Sequence, residues 1–376
     1  MGKIGLGALL VMLVACAPRH VPQPTAPTSG STPRVEEPTP SPGPRPRFVL
    51  HAADVGTGLA LFVEGEDFSL VYDAGSNDDQ ALGANNRFVR YLKAVKPGLA
   101  RIEHVVLSHP HTDHVELLAD VVNAYPVGHV WDSGAVNDVC GYRRFLAAVA
   151  SFPATTYHSG AKAEGMHDIE FGKADCGVPG TIPLKHGSMA HENEVIPLGR
   201  GASMRFLHVD PSPHGRDYNR HSLVALLELD GTRVLLMGDA EAGERAAPSS
   251  RTSPASVEGY VLRRYRAEID ADVLVAGHHG SLSSSRADFV AAVSPKVSII
   301  SSGPFRYGKV TLPDAEVVEE LAAAGDLLRT DVDDVGCGKA PAKIGTDADR
   351  RPGGCDNVQV VIQGGQVRAR DVHLSD

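Results

Sequence analysis

No CxxC pair occurs anywhere in the 376-residue chain, and no GxSxG motif. The first absence argues against a zinc knuckle or ribbon. The second removes the usual serine nucleophile of an α/β-hydrolase, and SGAK at 159–162, which fits SxxK, stands without its companion motifs. Positive charge is not in excess: 36 Lys and Arg face 46 Asp and Glu, a formal charge of −10. That balance argues against a surface built mainly to grip phosphate backbones. No short-period repeat is visible, which excludes the common solenoids and propellers. What is there, 42% apolar and 22% charged residues, suits a soluble globular chain of one large domain or two ordinary ones.

Residues 1–16 read as a signal peptide: one Lys, then an apolar run too short to span a bilayer comfortably. The run ends in LVAC, Leu13 to Cys16, which resembles the lipobox of bacterial lipoproteins. That resemblance implies cleavage before Cys16 and a lipid on its thiol; an ordinary secretory signal is the alternative. Residues 17–47 are rich in Pro, Ser and Thr and cannot bury a core, so they read as a disordered tether. The expectation is an exported protein of the cell envelope, periplasmic or on the cell surface, attached to a membrane through its N-terminal lipid. Four cysteines remain: Cys140, Cys176, Cys337 and Cys355. An even number in an oxidising compartment predicts disulfides, and sequence proximity favours Cys140–Cys176 and Cys337–Cys355.

From residue 48 to 376 the pattern is that of one folded domain. Strands are predicted over 47–55, 60–75, 102–109 and 128–134, with helices over 84–95 and 114–125. The stretch 139–191 reads as a helix plus long loops. Further strands are predicted at 203–210, 222–229 and 233–239, the last two joined by a DGTR turn. Then come a helix at 257–269, a strand at 271–280, a helix at 285–293, a strand at 296–303, a helix at 312–325 and a hairpin at 357–372. Two halves that each run strands first, then alternating strands and helices, suggest two packed sheets with helices outside.

The polar clusters all lie at the ends of apolar strands, where chemistry is commonly placed: VVLSHPHTDH, VLLMGDAE and VLVAGHHGS. In SHPHTDH, residues 108–114, His109 and His111 can reach one point from a turn. Asp113 and His114 address a neighbouring point as a helix begins. This is a two-ion arrangement, and imidazole with carboxylate suits zinc, iron or manganese. Asp239 could bridge the ions, and His278 or His279 could close the second site.

On these stretches the chain resembles the metallo-β-lactamase superfamily. Within it, the chain is similar to the extracytoplasmic hydrolase domain of the DNA-uptake protein ComEC and to phosphorylcholine-esterase-like relatives. DVGTG at 54–58, VYDAG at 71–75, NRHSLVALLELDG at 219–231 and YGKVTLPDAEVVEEL at 307–321 support the likeness. The resemblance implies an α/β fold, an αββα four-layer sandwich, with two metals between its loops. It implies that His109 and His111 hold the first ion, Asp113 and His114 the second, that Asp239 bridges, and that His279 completes the set. His278 would lie beside the ions and meet substrate, so Asp113 and His278 are the catalytic candidates; the reverse assignment of the His278/His279 pair stays open. Asp54, Asp73 and His221 are expected behind the ligands, His221 also being the nearest candidate for a third histidine at the first ion. The relatives' YGHP is YGKV here, and the Gly-Gly after their metal motif is lost in DHVELL.

The expected cofactor is a pair of divalent ions, zinc first and manganese second. The expected activity is hydrolysis by a metal-activated water, with a phosphodiester as substrate, either nucleic acid or a small phosphorylated envelope component. Arg220, Arg286, Arg306 and Lys309 could meet phosphate; solvated surface charges are the alternative reading. A β-lactam or lactone is the rival substrate, and a non-catalytic envelope binding module is the rival class. No protein partner is indicated.

Overall fold

A computed structural model describes residues 47–172, 175–332 and 356–372. The signal peptide, Cys16 and nearly all of the tether lie outside the described residues, as do Cys337 and Cys355. The first strand begins at Arg47, one residue before the expected boundary. Cys140 and Cys176 form a disulfide. Among the described residues no helix is long and apolar enough to cross a membrane.

The first half of the chain runs β1 (Arg47–Ala52), β2 (Ala60–Glu64), β3 (Ser69–Ala74), α1 (Arg87–Val95), β4 (Ile102–Leu107), α2 (Thr112–Val115), α3 (Leu118–Ala124), β5 (Val127–Asp132), α4 (Cys140–Ser151), β6 (Thr156–Ser159), β7 (Gly165–Glu170) and β8 (Thr181–His186). The second half runs β9 (Ile196–Gly199), β10 (Ala202–His208), β11 (Val224–Leu229), β12 (Thr232–Leu236), α5 (Val257–Tyr265), β13 (Val273–Val275), α6 (Ala287–Val293), β14 (Val297–Ile300), β15 (Arg306–Tyr307), β16 (Val310–Thr311), α7 (Ala315–Ala324) and β17 (Asp326–Arg329). A closing hairpin, β18 (Asn357–Gln363) and β19 (Gln366–Val372), returns to pair with β1. The first sheet is ordered β19-β18-β1-β2-β3-β4-β5-β6-β8-β7 and the second β17-β14-β13-β12-β11-β10-β9. In each, the consecutive strands that alternate with helices are parallel: β3 to β6, and β12 to β14 with β17.

The period-two alternation of strand side chains builds the layers. In β4, Val105 and Leu107 pack outward among Leu92, Leu118, Val121 and Phe145 from α1, α3 and α4. Val106 points the other way and meets Leu227, Leu236 and Val275 of the second sheet. In β11, Ala225 and Leu227 face that same inner layer, while Val224 and Leu226 pack beneath Val261, Phe289 and Leu321 of α5, α6 and α7. The central strands of both sheets are therefore buried on both faces and read as nearly continuous apolar runs for that reason. The result is helix, sheet, sheet, helix: the expected αββα sandwich.

Residues 139–191 depart from expectation. They hold not only α4 but three short strands, which extend the first sheet. Pro183 sits inside β8 and breaks the strand signal; it is tolerated because β6 meets β8 only at Tyr157–His186.

One buried acid in the second half gives the fold a pH dependence. Glu258, in the first turn of α5, accepts hydrogen bonds from the backbone N–H groups of Ser285 (2.5 Å) and Arg286 (3.5 Å). Burial outweighs these donors and pushes its carboxyl up from 4.5 to about 8. The folded state then binds this proton more tightly than the unfolded chain does. Stability from this group is full below about pH 4.5 and declines as pH rises to about 8. Glu258→Gln is expected to flatten that decline. At about 1.4 kcal/mol per unit the effect is at most about 5 kcal/mol, read as a thermal midpoint that exceeds wild type at pH 9 but not at pH 5.

Candidate metal centre

The ligand-bearing loops leave the carboxyl ends of parallel strands in both sheets, where open α/β sheets place their sites. Local backbone bonding sets the SHPHTDH turn. The expected helix over 114–125 is split into α2 and α3, because the helical bond from Leu117 N–H to the Asp113 carbonyl is not made. Leu117 N–H donates to the Ala74 carbonyl and the Asp113 carbonyl accepts from Leu59 N–H, each at 2.9 Å. The loops after β1 and β3 thus take both ends of one helical bond. Two glycines permit the approach: a Cβ on Gly58 would lie 2.2 Å from the Gly75 carbonyl oxygen, and one on Gly75 would lie 2.2 Å from the His114 nitrogen. The first sheet is stitched to the second beside the motif, by Leu223 N–H donating to the Ser108 carbonyl (2.9 Å) and the Tyr72 hydroxyl to the Leu223 carbonyl (2.7 Å).

Six side chains meet there in two sets. His109, His111 and Asp239 lie close enough to share one ion; Asp113, His114 and His279 lie close enough to share another. Asp239 stands between the sets. Its Oδ2 is 3.7 Å from His109 Nε2, and its Oδ1 is 3.0 Å from His114 Nε2 and 3.5 Å from His279 Nε2. His279 Nε2 is also 3.6 Å from Asp113 Oδ2. His109 Nε2 and His111 Nδ1 are 2.9 Å apart.

The outer ring nitrogens are tied down, which aims the inner ones. His279 Nδ1 donates to the Ser301 carbonyl at 2.8 Å, and His114 Nδ1 donates to Asp73 Oδ2 at 2.8 Å. Asp73 sits in the left-handed region (φ 57°) and also accepts from Ser108 N–H and Oγ–H, at 2.6 and 2.7 Å. His278 and His279 lie in the same backbone region, φ 49° and 52°. The strand expected to run through 280 stops at Val275 for this reason, and the double histidine forms a tight turn.

Burial pushes Asp239 up, but the neighbouring His114, His279 and His278 override it and hold it well below the carboxylate range. Asp113 is likewise held ionised against burial, by His279 and His114. Burial lowers His114, yet Asp239 and Asp73 raise it well above the usual imidazole value. Burial, reinforced by His114, keeps His109 far below that value. His114 Nε2, Asp239 Oδ1 and His279 Nε2 are sealed from water without a well-aligned hydrogen bond. Buried imidazole nitrogens and carboxylate oxygens gathered in this way fit divalent cations, which would take the place of the proton on His114 Nε2.

His278 belongs to neither set. Its Nδ1 is held by Ser283 Oγ (2.7 Å) and Glu241 Oε1 (3.0 Å), and its Nε2 lies 4.0 Å from Asp239 Oδ2 and 3.4 Å from Asn219 Nδ2. It lines a cavity of about 550 Å³ together with Arg220, Glu241, Arg245, Ser256 and Tyr307. Sequence reasoning missed the roles of Asn77, Ser108, Glu241, Arg245, Ser301 and Tyr307; Ser108, Glu241 and Tyr307 stand inside stretches that carry the resemblance.

Three expected residues act elsewhere. His221 is in neither set: its Nδ1 donates to the Asp210 carbonyl at 2.7 Å and its ring packs 5.0 Å from His214. Asp54 shapes the loop after β1, accepting from Gly56 N–H at 2.9 Å, and lies 4.0 Å from the buried Arg87 guanidinium. Arg286 is buried and spends its guanidinium on the carbonyls of Glu244, Ala246 and Leu282, so it is not available to substrate.

A family model described as the metallo-beta-lactamase superfamily matches residues 53–303. Recombination protein 2 of Haemophilus influenzae is 26% identical over 281 residues, 74% of this chain and 27% of that protein. Competence protein ComA of Neisseria gonorrhoeae is 26% identical over 283 residues, 74% of this chain and 30% of that protein. The chain thus spans less than a third of the length of these relatives. Among solved structures, the metallo-beta-lactamase fold protein YhfI from Bacillus subtilis aligns over 76% of this chain and 97% of its own, with 12% identity and a TM-score of 0.43.

Proposed function

The chain belongs to the metallo-β-lactamase superfamily, and from that premise we propose that it is a lipid-anchored, extracytoplasmic phosphodiesterase that uses two divalent ions, zinc in the first instance. The observation that carries the reading is the pair of three-residue ligand sets, with Asp239 of the first set facing His114 and His279 of the second, next to a cavity lined by His278, Tyr307 and two arginines. When bound, such ions lower the pKa of a shared water from ~15.7 toward ~7 and offset the charge that develops on an attacked phosphate.

The chain's own residues supply the rest. His109, His111 and Asp239 would hold one ion and Asp113, His114 and His279 the other. Arg220, whose guanidinium donates to the Ala255 carbonyl at 3.1 Å on the cavity wall, orients the phosphate. His278, braced by Glu241 and Ser283, presents Nε2 to the cavity and can pass a proton to the leaving oxygen. The names of two relatives, a recombination protein and a competence protein, support nucleic acid as one source of the diester. A phosphorylated envelope component is the other, in keeping with the LVAC signal at Cys16.

Purified protein supplied with zinc or manganese is expected to hydrolyse bis-p-nitrophenyl phosphate and to stop when a chelator is added. Turnover of nitrocefin or a lactone without diester cleavage would reassign the substrate. Bound metal with no turnover on any of the three would make the chain a binding module on the same fold.

A further inference from the structure

The hairpin β15–β16 belongs to neither large sheet. It is fastened to the site through its first strand. Phe305 N–H donates to Thr57 Oγ1 at 2.8 Å, and the Phe305 ring packs edge-on against Tyr307, centroids 5.1 Å apart. The Tyr307 hydroxyl donates to Asp113 Oδ2. Asn77 Nδ2 donates to that same carboxylate oxygen and to the Tyr307 oxygen, each at 2.9 Å. An ionised carboxylate only accepts. The phenol proton is therefore committed to Asp113 and a phenol lone pair to Asn77, which gives a directed chain from Asn77 through Tyr307 to Asp113.

Three of the four histidine ligands have comparable braces: Asp73 behind His114, the Ser301 carbonyl behind His279, and Ser108 Oγ beside His109 at 3.1 Å. The backbone of Asp113 is fixed by Leu59, but its carboxylate can still rotate about the last side-chain bond. We propose that Tyr307, with Asn77, is the positioning residue that fixes this carboxylate for the second ion. The same ring walls the cavity, so the hairpin joins the substrate-facing wall to the second ligand set. The altered YGKV motif keeps Tyr307 and Gly308 and differs only at Lys309 and Val310.

The inference rests on the metal-site reading and not on which bond is cut, so its test needs no substrate. Metal-free full-length protein is titrated with zinc against a chromophoric chelator and with cobalt(II) by visible absorption. In Tyr307→Phe, which keeps the ring, and in Asn77→Ala, the first ion is expected to bind as in wild type. The second is expected to bind about 10–100-fold more weakly, the usual effect of removing a partner behind a ligand. The cobalt bands of the second ion shift with it. Circular dichroism establishes that each variant is folded. Two ions bound with wild-type affinity and unchanged cobalt spectra in both variants would overturn the proposal. Wild-type protein that takes up no metal would overturn the metal-site reading itself.

Discussion

Asp239→Asn is expected to reduce hydrolysis on the order of a thousandfold or more and to leave the protein unable to hold two ions together. The carboxylate faces both ligand sets, with His109 on one oxygen and His114 and His279 on the other. An amide nitrogen cannot bind a cation, and Asn offers one acceptor oxygen where Asp offers two. A carboxylate placed between the sets would hold two ions close enough to act on one water; their charge stabilisation is worth several kcal/mol, and about 1.4 kcal/mol is a tenfold change in rate. The measurement pairs metal content by elemental analysis with diester turnover. A variant that keeps two ions and loses less than tenfold in turnover would show that Asp239 does not bridge. The change is close to isosteric, and the backbone of Asp239 is held independently by its N–H donating to Ser222 Oγ at 3.1 Å.

Asp73→Asn is the second large effect, and it acts through metal affinity and stability together. Asp73 is fully buried and receives three donors: Ser108 N–H, Ser108 Oγ–H and His114 Nδ1–H. Asn tolerates the left-handed backbone at φ 57°, so the substitution tests chemistry and not strain. Its amide group places N–H donors against donors. One buried group is then left unsatisfied, at about 1–3 kcal/mol. Alternatively, His114 moves its proton to Nε2 and withdraws the lone pair that faces the ion. Metal affinity is expected to fall about 10–100-fold, with a lower thermal midpoint that persists in the presence of a chelator. Wild-type zinc affinity in this variant would mean that Asp73 is merely part of the core.

The sequence announced the SHPHTDH cluster directly, because four metal-binding side chains within seven positions need a common partner. Asp239 and His279 were legible only by order along the chain and by resemblance, since nothing local in GDAE or HHGS demands a ligand. The four layers were legible from the order of elements, two halves that each run strands first and then alternate strands with helices, and from the family resemblance. What stayed hidden depends on contacts across the chain. Tyr307 and Asn77 are 230 residues apart, and neither carries a signal of its own. His221 was expected near the ligands from the resemblance, because many superfamily members carry a further histidine between the first motif and the bridging acid, where NRHS stands here. The fold turns its ring toward Asp210 and His214 instead. The strands β6 to β8 were obscured by Pro183 and the glycines around them.

Each ion would draw two of its ligands from the first sheet's loops and one from the second's: His109 and His111 with Asp239, and Asp113 and His114 with His279. Severing the connection between His186, the end of β8, and Ile196, the start of β9, would leave two fragments, neither owning a whole coordination sphere. Turnover by such a pair would register their reunion, which makes this chemistry a natural reporter for complementation between split halves.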